Sequence, residues 1–170
     1  MGMKKMYSVD KIARYVVAYC NGNGYYISNL KLQKLLYFIQ IKFLIENKKL
    51  CFNEDIIAVD FGVVIPSVFD QYKKYGSSLI PAAGVFKRAY FPIADEDKDV
   101  IDEVISDVGN YSSEVLLKGI IEHDVWKEAY QNGTSIVIPQ ENVDKYLTIR
   151  REKRPVVKAR IYNFNEYSKK

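Results

Sequence analysis

Residues 28–48 are the stretch that most restricts what this chain can become. Leu32, Leu35, Leu36, Ile39 and Phe43 recur at helical spacing, while Leu30, Phe38, Ile41 and Ile45 carry apolar character round to the other sides of the same cylinder. A helix apolar on most sides is stable only where neighbours cover it. The stretch therefore predicts a helix, capped by Ser28 and ending near Lys48, at the centre of a mainly α-helical domain. With 170 residues, 48% of them apolar, the chain has material for one such core.

The flanking segments read as the cover. A first helix is expected over 9–20, with Ser8 as its cap, Tyr7 and Ile12 placed as a hydrophobic staple, and Asn21, Gly22, Asn23 and Gly24 closing it. Its apolar face is Ile12, Tyr15, Val16 and Tyr19. Residues 56–61 and 85–91 are short, β-branched or aromatic, and are expected to be strands that pair with each other. Between them Pro66 or Ser67 starts a helix through Tyr75 that Gly76 stops, and Gly62 permits a sharp reversal. Asp95 is expected to cap a helix to about Val108, its acids near the positive end of the dipole. Further helices are expected from Ser112 or Ser113 to Ile121, from Asp124 to Tyr130, and from Pro139 to about Arg150. The sum is a compact bundle of roughly five to seven helices with a small inserted β-hairpin. The domain spans 1–150, and 151–170 form a basic C-terminal tail that can dock through its apolar residues.

Several function classes find no support in the residues. Lys34, Gln40, Lys42 and Glu46 interrupt the longest apolar run, so a membrane span of about 18 residues is not expected. The basic start is not followed by an apolar core and cleavage site, which makes the cytoplasm the expected location. Cys20, Cys51 and the lone His123 fall short of the roughly four ligands a structural zinc needs, and the thiols read as buried small hydrophobes. His123 beside Asp124 has no Gly-x-Ser-x-Gly partner and reads as a surface or capping residue. Phosphate loops, dinucleotide turns and zinc-protease helices are absent from the sequence. The carboxylate pairs Glu54 and Asp55, and Asp99 and Asp102, fit turn and helix-start chemistry better than Mg²⁺ binding. An enzyme is not expected, and neither is a cofactor. The 14 tyrosines, among them Tyr15, Tyr19, Tyr37, Tyr72 and Tyr75, read as core and core-edge packing, as do Trp126 and Tyr130.

Charge is modest in sum, at +4, and segregated in sequence. Acids crowd residues 95–107, and bases crowd 145–160 with Arg150, Arg151, Lys153, Arg154, Lys158 and Arg160. Solvated faces and internal pairing both account for this pattern. The basic run is also the candidate contact for a partner protein, or for nucleic acid, whose phosphates would make binding fall steeply with salt.

The ordered motifs carry more. They begin with Lys31, Leu32, Gln33, Lys34, Leu35, Leu36, Tyr37 and Phe38, continue with Phe52, Asn53, Glu54 and Asp55, and then run from Asp60 through Gly62, Pro66 and Phe69 to Tyr72 and Gly76. Trp126 and residues 136–139 follow in the same order. This set resembles the Panacea domain of SocA-like antitoxins and of GepA-type phage-associated proteins, most strongly over 10–76. The resemblance implies a non-catalytic, prophage-type antitoxin that binds a cognate toxin. It also implies one described mode of action, as an adaptor that delivers the toxin to a ClpXP-type protease. The alternative function is a prophage accessory protein that binds nucleic acid or regulates transcription.

Overall fold

The computed structural model describes residues 6–133 and 135–136. In order these form α1 (Val9–Gly22), α2 (Asn29–Asn47), β1 (Ile56–Val59), β2 (Gly62–Val64), α3 (Pro66–Tyr72), α4 (Asp95–Val108), α5 (Ser113–Ile121), α6 (Asp124–Asn132) and β3 (Ser135–Ile136). The fold is mainly α, with a small antiparallel hairpin as expected. The expected helix from Pro139 and the tail 151–170 lie outside the described residues.

α2 is the axis. Every residue from 31 to 44 is buried, lysines and glutamines included, and α1, α3, α4, α5 and β2 all pack against it. Its ends follow from local chemistry. Ser28 stands extended and its Oγ accepts from the Lys31 N–H, while Lys48 closes the helix at φ 51°. α1 and α5 start in the same way on Ser8 and Ser112. On α1, Ile12, Tyr15 and Val16 face the core, and Tyr19 is partly buried against it.

Three local expectations are corrected. The strand at 56–61 does not pair with 85–91. It turns back at Asp60 and Phe61 and pairs with residues 62–64, so that Val59 faces Gly62 and Ile57 faces Val64. Gly62, at φ +112°, is what lets this reversal close so tightly. β3 adds to the other edge of β1, giving the order β2-β1-β3. The segment 85–91 has a different task. Its Phe86 and Phe91 meet the ring of Tyr15 edge-on at 6.0 and 5.2 Å, and a single 3₁₀ turn spans Arg88–Tyr90. Its aromatic content, read as strand propensity, is packing content.

The second correction concerns α3, which starts on Pro66 but tightens into a 3₁₀ turn at Lys73–Tyr75 before Gly76 ends it. In the third, Asp95 is the first residue of α4 and Ala94 occupies the cap position without a side-chain bond. The acids of α4 are committed elsewhere. Asp97 accepts from the Tyr7 hydroxyl at 2.7 Å and from Lys49 at 2.9 Å, and Asp102 accepts from Tyr15 at 2.5 Å and from Arg88 at 3.1 Å. Arg88 also reaches Asp99 at 2.6 Å. Dipole complementarity explains where these acids sit, and specific pairing with α1, residue 49 and residue 88 explains what they hold.

Candidate functional site

α2 carries a column of buried polar groups, and most of them tie a different piece of chain to the axis. Gln40 comes first in simplicity. Its Oε1 accepts from the backbone of Cys51 at 2.8 Å and of Phe52 at 3.3 Å, while its Nε2 donates to the Phe52 carbonyl at 2.7 Å. A glutamine amide thereby satisfies one side of an extended segment that on its other side is bridged to Tyr7, whose N–H donates to the Cys51 carbonyl at 2.9 Å. Two turns earlier Gln33 repeats the device. Its Oε1 accepts from Ile65 N–H at 2.8 Å and its Nε2 donates to Asn29 Oδ1 at 2.9 Å. Asn29 in turn donates to the Phe69 carbonyl at 3.0 Å, so the joint between β2 and α3 is held on both sides of Pro66.

Lys31 and Lys34 are buried as well. Lys31 donates to the Gly109 carbonyl at the end of α4, and burial pushes its pKa down, against the attraction of the neighbouring Cys20 thiol. Lys34 donates to the Leu30 carbonyl at 3.3 Å, and burial lowers its pKa to about 8 against the attraction of Glu114. Its stem lies under the hairpin turn. A Cβ at Gly62 would come within 3.5 Å of Lys34 Cε and 3.1 Å of Leu117 Cδ1, so the absent side chain allows α2 and α5 to approach the turn.

Lys34→Met is expected to raise stability at pH 7 by about 2 kcal/mol, because it keeps the stem and removes a buried charge. The sign follows from linkage. The folded state holds this proton less tightly than the unfolded one, so the wild type gains stability as pH rises from about 8 to about 10.5 and the advantage of the variant fades over that window. Urea titrations at pH 7 and at high pH check this.

Around the hairpin turn an aromatic cluster closes the site. Tyr37, fully buried on α2, lies 2.8 Å from Nδ1 of His123. Phe38 meets the same imidazole edge-on at 6.2 Å. Trp126 donates its indole N–H to the Gly62 carbonyl at 2.5 Å and stacks on Tyr130 with centroids 4.6 Å apart, and Tyr130 donates to the Asp60 carboxylate. Asp60, Gly62, Trp126 and Lys34, far apart in sequence, therefore meet at the hairpin turn, and Tyr37 holds His123, three residues before Trp126. Leu32 and Leu35 fill the core beneath it.

His123 corrects the expectation of a surface or capping residue. It occupies the cap position of α6 without a side-chain cap bond, and its ring turns inward. Among the described residues its Nε2 is shut from solvent and has no hydrogen-bond partner. Burial lowers its pKa to about 4, with Asp124 opposing the shift. Since the unfolded chain binds the proton near 6.5 and the folded chain only near 4, stability is complete above pH 6.5 and falls progressively down to about pH 4. The expected loss is on the order of 3 kcal/mol, and His123→Phe should flatten the slope over this window in denaturation midpoints measured by pH.

The arrangement is a lock, built from groups that satisfy one another. Among the described residues no set of three or more His, Cys, Asp or Glu side chains converges, and both cysteines are buried thiols with raised pKa values. No helix among them is long and apolar enough to cross a membrane. Arg150, Arg151, Lys153, Arg154, Lys158 and Arg160 lie outside the described residues. Sequence reading missed Gln40 and Asn29 as clamps. Their signal was a polar amide set among apolar neighbours on every side of one helix, which periodicity alone does not weigh.

A family model described as the SocA-like antitoxin Panacea domain matches residues 32–127, more than half of the chain, from the first turn of α2 to just beyond Trp126. No curated protein and no solved structure matches the chain.

Proposed function

Because the chain belongs to the SocA-like antitoxin Panacea family, we propose that it neutralises a cognate toxin by binding it, without catalysing a reaction on it. The observation that carries this reading is the fate of the family motif. Lys31, Gln33, Lys34 and Tyr37 are all buried; Lys31, Gln33 and Tyr37 bond to other segments of the chain and Lys34 bonds back to its own helix. A motif consumed in this way specifies a scaffold, and the scaffold leaves its outer surface free for recognition. Stable neutralisation then needs a toxin surface of about 800 Å² on each partner buried against that exterior.

In this reading the basic residues from Arg150 to Arg160 add a charged contact to the toxin, and delivery to a ClpXP-type protease is the route by which binding becomes removal. The test is co-expression. Products of the neighbouring reading frames are induced singly and with this chain, and growth is followed. Rescue of a growth arrest by this chain, with a co-purifying stoichiometric pair, supports the reading, and failure to rescue any arrest sinks it. Toxin half-life in hosts with and without the protease separates delivery from masking.

A nucleic-acid role has one observation in its favour, the density of Arg and Lys over residues 150–160. It predicts a gel shift that weakens steeply with salt and is lost on truncation at Lys153. A complex with the toxin that tolerates salt and survives the same truncation removes this alternative.

A further inference from the structure

Residues 76–86 contain no charged side chain, in a chain that is 27% charged. Most of this stretch faces water. Leu79 is 53% exposed, Val85 is 88% exposed, and residues 81–84 between them are exposed as well. An apolar loop of this kind would ordinarily fold back onto the body, but this one is held out by a pin at each end. At the first, Ile80 N–H donates to the Ile27 carbonyl at 2.8 Å and Asn21 Nδ2 donates to the Ile80 carbonyl at 3.2 Å. At the second, Phe86 lies against the end of α1, so closely that a Cβ on Gly22 would come within 2.6 Å of it. Its ring also meets Tyr19 edge-on at 5.7 Å.

The ground beside the first pin is concave. Tyr26, 75% exposed, and Leu79 line a pocket of about 270 Å³ with Tyr25, Ile27, Asn21 and Gly24. On either side of the uncharged stretch stand Lys74 and Lys87, both exposed, with their ammonium groups over the rings of Tyr75 and Tyr90 at 5.2 and 5.0 Å.

We propose that residues 81–85, with Tyr26 and Leu79, are the docking surface for a partner protein, and that the segment received there offers a large apolar side chain to the pocket with acidic residues flanking it. This rests on the toxin-binding reading given above and names the surface that would serve it. Exposed apolar surface without charge is released from water at little desolvation cost. Because both ends of the loop are pinned, little ordering entropy remains to be lost on contact. The flanking lysines select for acid at the rim, which governs partner choice and encounter rate. A nucleic acid would need cations across the contact itself, and residues 76–86 carry none.

The test uses the full chain as wild type, as Leu79→Asp, as Val85→Asp, and as a Lys74→Glu and Lys87→Glu double variant. A random peptide library displayed on phage is panned on the wild type. The expected result is enrichment of peptides with a large apolar residue between acids, with binding weakened about tenfold by each Asp variant. The double variant should lose the preference for acids. Both Asp changes fall on exposed side chains, so thermal melts should match the wild type. Enriched peptides that bind all variants alike, or no enrichment, would overturn the proposal.

Growth rescue separates the two readings. If the wild type rescues a toxin arrest and both Asp variants rescue equally, the docking surface is wrong and the antitoxin reading stands. If peptides bind the loop as described while the wild type rescues nothing, the surface stands and the antitoxin reading is wrong.

Discussion

Gln40→Ala is expected to destabilise the chain by about 4 kcal/mol, the sum of a lost buried side chain and of buried backbone groups left without partners. In the wild type one amide serves the N–H groups of Cys51 and Phe52 and the carbonyl of Phe52. Removing it leaves those groups in a closed core where water does not replace it. Gln40→Glu keeps the acceptor oxygens but removes the donor and adds a charge, so it should not restore stability. Against a typical total of about 5 to 15 kcal/mol the Ala variant sits close to the unfolding threshold. Urea denaturation followed by far-UV circular dichroism gives the number, and a shift in midpoint of less than about 1 kcal/mol equivalent would show the clamp to be dispensable.

Trp126→Ala should cost about 4 kcal/mol as well, by a different mechanism. The indole is buried, stacks on Tyr130 and donates to the Gly62 carbonyl, so its loss opens a cavity and removes a hydrogen bond at the hairpin turn. Trp126→Phe refills most of the apolar volume without the N–H donor and should cost about 1 to 2 kcal/mol. The difference between the two variants measures packing apart from hydrogen bonding. Since Trp126 is the sole tryptophan, unfolding of both variants has to be followed by circular dichroism instead of indole fluorescence.

The architecture was legible where local chemistry and periodicity agree. Ser8, Ser28 and Ser112 cap the helices they precede, Pro66 starts α3, and the all-round apolar helix is the axis. The hairpin partner was misassigned because 85–91 and 62–64 look alike as short apolar runs, and only the two-residue turn before Gly62 distinguishes the local pairing. The candidate site was half legible. Its residue types were visible in the motif, but periodicity gives no depth to a polar side chain. Gln33, Lys34 and Lys31 stand in the motif as residue types alone, and their burial follows only once α3, α4 and α5 are wrapped around α2. His123 was misread for the same reason, since an imidazole beside an aspartate looks solvated in one dimension and is walled in by Tyr37 and Phe38 in three.

The burial of α2 on all sides also fixes an order of events during synthesis. Chains leave the ribosome N-terminus first, at about 5 to 20 residues per second. The helix at 29–47 therefore emerges after α1 and before α4 and α5, whose residues come from 95–121 and which cover it in the finished fold. For those seconds a nascent chain carries uncovered a helix that the finished fold encloses on every side. Cooperative closure must therefore wait until α4 and α5 have been made.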